Sequence, residues 1–189
     1  MSYKRTTAPA STPVTLAEAK AHLRVDVTDD DALITGMIDA ATDMAESQTG
    51  RALMLQTWDL TLDGFTGEIT IGIVPAVAVT SFGYTDAAGA LQTLSAGAYT
   101  IDTANDYGPG RIVPTPGTSW PATRGQANAV VVRFTAGYPN AAAVPGAIKA
   151  WILLQVGAMY ENRQAETDRM PFSLGFADRL LDRYKVWAL

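Results

Sequence analysis

The sequence contains no cysteine, which excludes disulfides, thiolate metal sites and a cysteine nucleophile. It contains a single histidine, His22. Zinc needs three or four His, Cys or carboxylate ligands, and a Ser–His–Asp triad would have to use His22, yet no nucleophile-elbow pattern accompanies it. Charge is also scarce: only 17% of residues are charged, and 14 basic against 19 acidic residues leave a net −5. That balance argues against sequence-specific nucleic-acid binding, and a thinly charged surface favours association with other protein. No apolar run reaches the roughly 17 to 25 residues of a membrane span. The opening MSYKRTTAPASTPV has basic residues but no apolar core, so no secretory signal is expected. The reading is a soluble chain made inside the cell.

Apolar residues are plentiful, 48% of a 189-residue chain, which is enough for one domain with a real core. The richest stretch is 144–163, VPGAIKAWILLQVGAMYENR. Pro145 suits the first turn of a helix. Ile148, Trp151, Ile152, Leu153, Leu154, Val156 and Met159 then leave almost no polar side, the mark of a helix buried nearly all round. It is expected to be the central helix of the fold, at about 145–162.

Residues 1–13 are Thr, Ala, Pro and Ser around Lys4 and Arg5, and their composition predicts a flexible arm that orders on contact. Thr15-Leu-Ala-Glu18 has the form of a capping box, opening a short helix to about Leu23. A second, amphipathic helix is expected at about 29–49. Leu33, Ile34, Met37, Ile38, Ala41, Met44 and Ala45 recur at its spacing, and Gly50 stops it. Asp29, Asp30 and Asp31 at its start suit a metal or acid–base cluster on one reading. The preferred one is that carboxylates complement a helix N-terminus.

From Leu53 to Thr135 the pattern is β. Alternation marks strands at 56–63, 69–73, 78–84, 91–94, 99–102, 111–113 and 129–135, separated by Gly/Pro turns. The predicted class is α+β: a small helical bundle flanking a β-sandwich-like or open-barrel region of short strands. One connector-like body is expected over 14–163. Residues 164–189 form a C-terminal segment in which Phe176, Leu180, Tyr184 and Trp187 lie near one face of a short helix, which must dock on its own body or on another protein.

A search for chemistry finds little. Asp102-Thr-Ala-Asn-Asp106 lacks the alternating ligands and distal glutamate of a calcium loop, and reads as a turn. Gly108-Pro109-Gly110 has no following Lys-Ser/Thr to cradle phosphate. No catalytic, metal or cofactor-binding residue is assigned, and no cofactor is called for. Trp58 and Trp151 lie on apolar faces and are expected in the core; Trp120, before Pro121, is expected to pin its loop. Tyrosine, tryptophan and arginine favour binding hot spots, which selects Tyr184 and Trp187.

The order of these segments resembles the head–tail connector (adaptor) proteins of tailed bacteriophages and prophages, including phage-derived gene transfer particles. The likeness runs from about residue 14 to 185. It rests on TLAEAKAHLRVD, DDDALITGMIDAATDMAESQTGRAL, QTWDLTLDGF, FGYTDAAGALQTL, AYTID, SWP, VVVRFTAGYP, VPGAIKAWILLQVGAMYENR and RLLDRYK. The resemblance implies a non-enzymatic virion component, made in the bacterial host cytoplasm, that forms a ring, usually dodecameric, at the head–tail junction. Its implied partners are further copies of itself, the portal protein, the next tail-side protein (a stopper or tail terminator) and DNA passing non-specifically through the lumen; no membrane is involved. Under that resemblance Phe176, Leu180, Arg183, Tyr184 and Trp187 are the candidate portal or partner interface. Two other readings stay open: a tail-completion or baseplate protein, and an enzyme or ligand-binding protein with an unrecognised site.

Overall fold

In the computed structural model, residues 1–104, 108–163 and 175–186 are described. The elements run β1 (Ser2–Thr7), α1 (Leu16–Leu23), α2 (Asp31–Thr49), β2 (Gln56–Leu62), β3 (Ile69–Ile71), β4 (Ala76–Thr85), β5 (Leu91–Thr93), a 3-10 turn (Ala96–Ala98), β6 (Tyr99–Asp102), β7 (Gly110–Pro114), β8 (Val130–Ala136), α3 (Gly146–Glu161) and α4 (Gly175–Asp182). The described residues group into two compact units: a β unit within 1–10, 55–137 and 186–189, and a helical unit within 11–54 and 138–185. The α+β class holds, with the β part arranged as two open antiparallel sheets and no closed barrel among the described residues.

The helical unit follows from local signals. Thr15 Oγ1 accepts from the Glu18 N–H at 3.2 Å while Glu18 Oε2 accepts from the Thr15 N–H at 2.7 Å, completing the capping box of α1. Helix α2 ends at Gly50, which adopts the left-handed φ of 69°; a side chain there would carry strain that glycine avoids. Ile34, Ile38, Ala41 and Ala45 face inward at helical spacing. They join Ile148, Trp151, Ile152 and Val156 of α3 in one core, with Leu153, Leu154 and Met159 packed on its margin. Removing a large side chain from such a core costs about 2–5 kcal/mol.

In the β unit, five strands are ordered β1-β2-β8-β4-β5 and three are ordered β3-β7-β6. Strands β2 and β8 pair without interruption from Gln56 opposite Ala136 to Leu62 opposite Val130. Their inward residues, Leu60, Leu62, Val130, Val132, Phe134 and Ala136, are buried. Where composition suggests a flexible arm, Ser2–Thr7 is the edge strand β1, antiparallel to β2. Tyr3 explains its seating: the ring meets Phe134 edge-on at 6.3 Å, and its hydroxyl accepts from the Gly72 N–H at 2.7 Å and donates to the Thr70 carbonyl at 3.2 Å. Gly72 lets the hydroxyl come this close, since a Cβ there would stand 3.2 Å from it. At the other end, β5 pairs only with Gly83–Thr85 of β4.

Candidate partner-binding surfaces

The acidic start of α2 is bound up in structure. Asp31 pairs with Lys20 at 2.5 Å. Asp30 Oδ2 accepts from Tyr160 Oη at 2.6 Å and from Arg163 Nη2 at 2.8 Å. The Arg163 guanidinium also lies over the Tyr160 ring, 4.4 Å from its centroid. The Tyr160 hydroxyl and, after it, the Arg163 cation hold the Asp30 carboxyl below its ordinary range, and the same carboxylate raises the Tyr160 phenol. These contacts tie the start of α2 to the end of α3. No group of His, Cys, Asp and Glu suited to a metal ion occurs among the described residues.

Asp102 behaves as a turn residue: its carboxylate accepts from the Ala104 N–H at 3.1 Å and from Arg111 Nη2 at 2.6 Å. Asp106 lies outside the described residues. His22 is exposed. Trp120 does pin its loop, stacked on Phe65 at 4.9 Å and 7° between planes, with its Nε1 donating to the Gly67 carbonyl at 3.3 Å. Trp151 is fully buried, as expected for a core residue, whereas Trp58 is half-buried.

The C-terminal candidates separate. Helix α4 buries Ala177 and Leu181 in the helical core, and Leu180 and Tyr184 pack on its margin. Arg51, only 2% exposed, holds the end of this helix: its Nε donates to the Tyr184 carbonyl at 2.7 Å, and its guanidinium lies 6.0 Å from the Tyr184 ring centroid. Nη1 of the same arginine reaches Tyr138 Oη at 3.4 Å. Asp178 accepts from Trp151 Nε1 at 3.5 Å. Thus Leu180 and Tyr184 rest against their own unit, while Arg183 is exposed beside them. Trp187 and the Phe176 side chain lie outside the described residues. Nothing in the sequence pattern marks Arg51 as the clamp, because its partners are more than 80 residues away.

The β unit offers a different surface. The outward face of the five-stranded sheet carries a bidentate pair, Arg133 Nε and Nη2 to the two Asp59 oxygens at 2.7 and 2.8 Å. Around it stand small residues: Thr57, Thr61, Ala78, Ser81, Gly83, Val131 and Thr135. Gly83 floors an open concavity of about 240 Å³, bordered by Ser81, Thr85, Leu91, Asn128, Val131 and Arg133. Leu91 on its rim is 82% exposed. Such a shallow, small-residue surface suits contact with protein better than a small ligand, which favours deeper, more enclosed sites.

Comparison with known proteins finds likenesses in both sequence and fold. Residues 13–81 match the model of the family described as "Phage gp6-like head-tail connector protein". No curated protein matches the chain in sequence. Among solved structures, a chain in the "Virion of native gene transfer agent (GTA) particle" is 26% identical, with a TM-score of 0.81. Chains in the "Neck of empty GTA particle computed with C6 symmetry" and the "Neck of native GTA particle computed with C12 symmetry" are likewise 26% identical, with TM-scores of 0.79 and 0.76. Each likeness covers 100% of this chain and 97% of the other.

Proposed function

We infer that the chain belongs to the phage gp6-like head-tail connector family, whose model matches residues 13–81. It is a structural, non-enzymatic protein of a tailed phage or phage-like particle, and its place is the neck, at the head–tail junction. Its copies form a ring, dodecameric when assembled, between the portal protein and a tail-side stopper or terminator. The observation that carries this reading is the end-to-end likeness, at TM-score 0.81, to a chain of a gene transfer agent virion. The match to a chain in a C12-symmetric neck supports the ring.

Two physical features fit. A ring needs a head-to-tail interface between unlike patches whose rotation closes, and a surface with few charges suits it. DNA passing through the hole meets a protein of net −5; grip on phosphates comes from Lys and Arg, so the conduit lets the strand slide. The C-terminal segment supplies the portal contact: Arg183 is exposed, Leu180 and Tyr184 keep part of their surface open beside it, and Phe176 and Trp187 complete the set.

The test is direct. Purified full-length protein, mixed with portal complexes of the same particle and imaged by cryo-electron microscopy, is expected to add a ring on the tail-facing side of the portal. Particles produced without the protein should carry filled or leaky heads lacking tails. Absence of any association with portal, together with normal tailed particles in its absence, overturns the reading.

A further inference from the structure

A sheet edge is a row of unpaired backbone N–H and C=O groups, and proteins that remain monomers blunt such edges with charge or cover them. The two edges of the five-stranded sheet differ in this respect. Edge strand β1 carries Lys4 and Arg5. At the opposite side, β5 reaches only Gly83–Thr85 and the Leu94 N–H only the Phe82 carbonyl. Ala76–Ser81 therefore have no strand partner on their outer side among the described residues. Their sequence, AVAVTS, has no charge and no proline, and Val77 is 51% exposed. It is a β-rich segment of six residues, and β1 has six as well.

We propose that the free edge of β4, Ala76–Ser81, is a subunit contact that receives strand β1 of the next copy, so that the sheet continues from one subunit to its neighbour. This rests on the ring reading above and names the surface that would close the ring. The alternatives among edge pairings are poorer. Pairing β1 with β1 brings Lys4 and Arg5 of two copies together, and like charges across a strand pair are destabilising. Pairing β4 with β4 is isologous and stops at a dimer. Pairing β4 with β1 joins unlike patches, which is what a propagating ring requires.

Strand direction supports the same choice. Each neighbouring pair in β1-β2-β8-β4 is antiparallel, so β1 and β4 of one chain run in opposite directions. Rotation about an axis along the strands keeps each strand's direction, and the incoming β1 then lies antiparallel to β4, extending the alternation without a break. Register shifts flank Val77 and Thr80 in β4; such bulges bend a strand and increase its twist, the deformation a closing sheet needs.

The absence of cysteine makes the test clean. Lys4→Cys is combined in turn with Val77→Cys, Ala78→Cys and Ser81→Cys in the full-length chain. Within one copy β1 and β4 are three strand spacings apart, about 14 Å, so a thiol crosslinker shorter than that span joins only different copies. Rings assembled on portal should yield a ladder of covalent multimers on a denaturing gel from at least one pair. The Val77→Lys/Ala78→Lys variant, checked by circular dichroism to be folded, should raise the concentration needed for ring formation at least tenfold, whereas Val77→Thr should not. Rings seen by microscopy with no ladder from any pair, or with assembly unchanged in the double-lysine variant, overturn the edge pairing and leave the ring standing. Failure of the wild-type chain to form rings on portal overturns both.

Discussion

Glu18 and Lys149 lie 131 residues apart in the chain and meet at 2.7 Å, joining the first turn of α1 to the first turn of α3. The same carboxylate also accepts from the Thr15 backbone N–H and hydroxyl, so one side chain both caps a helix and ties it to the central one. The Lys149 hydrogen bond, followed by the Thr15 backbone N–H, lowers the Glu18 pKa from its ordinary 4.5 to about 2.

The sign of the pH dependence follows. A carboxyl with a depressed folded-state pKa contributes its stability in full above the unfolded value near 4.5 and loses it as pH falls toward the folded value. Glu18→Gln is expected to lower stability at pH 7 by roughly 0.5–1 kcal/mol, the scale of a partly solvated ion pair and cap. The difference between variant and wild type should shrink as pH falls below the unfolded value and vanish only once pH has passed below the folded value of about 2. Urea unfolding across that range, with the Glu18 titration followed by NMR, measures both. A difference that persists unchanged at pH 2 would contradict the assignment.

Arg51→Ala should loosen α4. The guanidinium is buried and donates to the part-buried Tyr184 carbonyl, and losing a charged donor of this kind costs about 1–3 kcal/mol. Hydrogen exchange at Ala177–Asp182 should accelerate more than in α2 or α3. Arg51→Lys should restore only part of the loss, because an ammonium cannot reproduce the guanidinium fork. Equal acceleration throughout the helical unit would mean that Arg51 supports the core as a whole and has no special hold on α4.

The helical unit is the part of the fold most legible in the sequence, because its signals are local. Thr15 with Glu18, the spacing of Ile34, Ile38, Ala41 and Ala45, and Gly50 each act within a few residues, and all three appear where expected. Most strands were also visible through alternation. What stayed hidden depends on distant partners. Residues 2–7 have the composition of an arm, and become β1 because Tyr3 finds Phe134 and Gly72. Tyr184 reads as a partner-facing residue, and the sequence does not show that its carbonyl and ring also meet Arg51. The open edge of β4 was equally invisible, since alternation identifies a strand without revealing which of its sides lacks a neighbour.

Phe65 and Trp120 should prove energetically coupled. Their rings stack at 4.9 Å and 7°, and aromatic pairs contribute about 0.5–1.5 kcal/mol beyond the area they bury. A double-mutant cycle with Phe65→Leu and Trp120→Leu keeps apolar bulk at both positions and isolates that term. A coupling energy of this size, read from denaturant unfolding by circular dichroism, is expected. Strict additivity would show that the stack adds nothing beyond buried area, leaving the Phe82 contact and the Gly67 hydrogen bond to hold the loop.

Tyr3→Phe tests how β1 is held. The variant keeps the ring against Phe134 and removes only the hydroxyl that accepts from Gly72 and donates to Thr70. The loss should be about 1 kcal/mol, visible as faster hydrogen exchange in residues 2–7 with β8 unaffected. Burial also raises the Tyr3 phenol above its ordinary value near 10, so the wild-type contact is complete below pH 10 and fails only as pH climbs through the higher folded value. Base titration should therefore release β1 in the wild type while the Phe variant shows no matching step. If exchange in residues 2–7 is the same in both proteins at neutral pH, the hydroxyl does not anchor the strand, and backbone pairing with β2 holds it unaided.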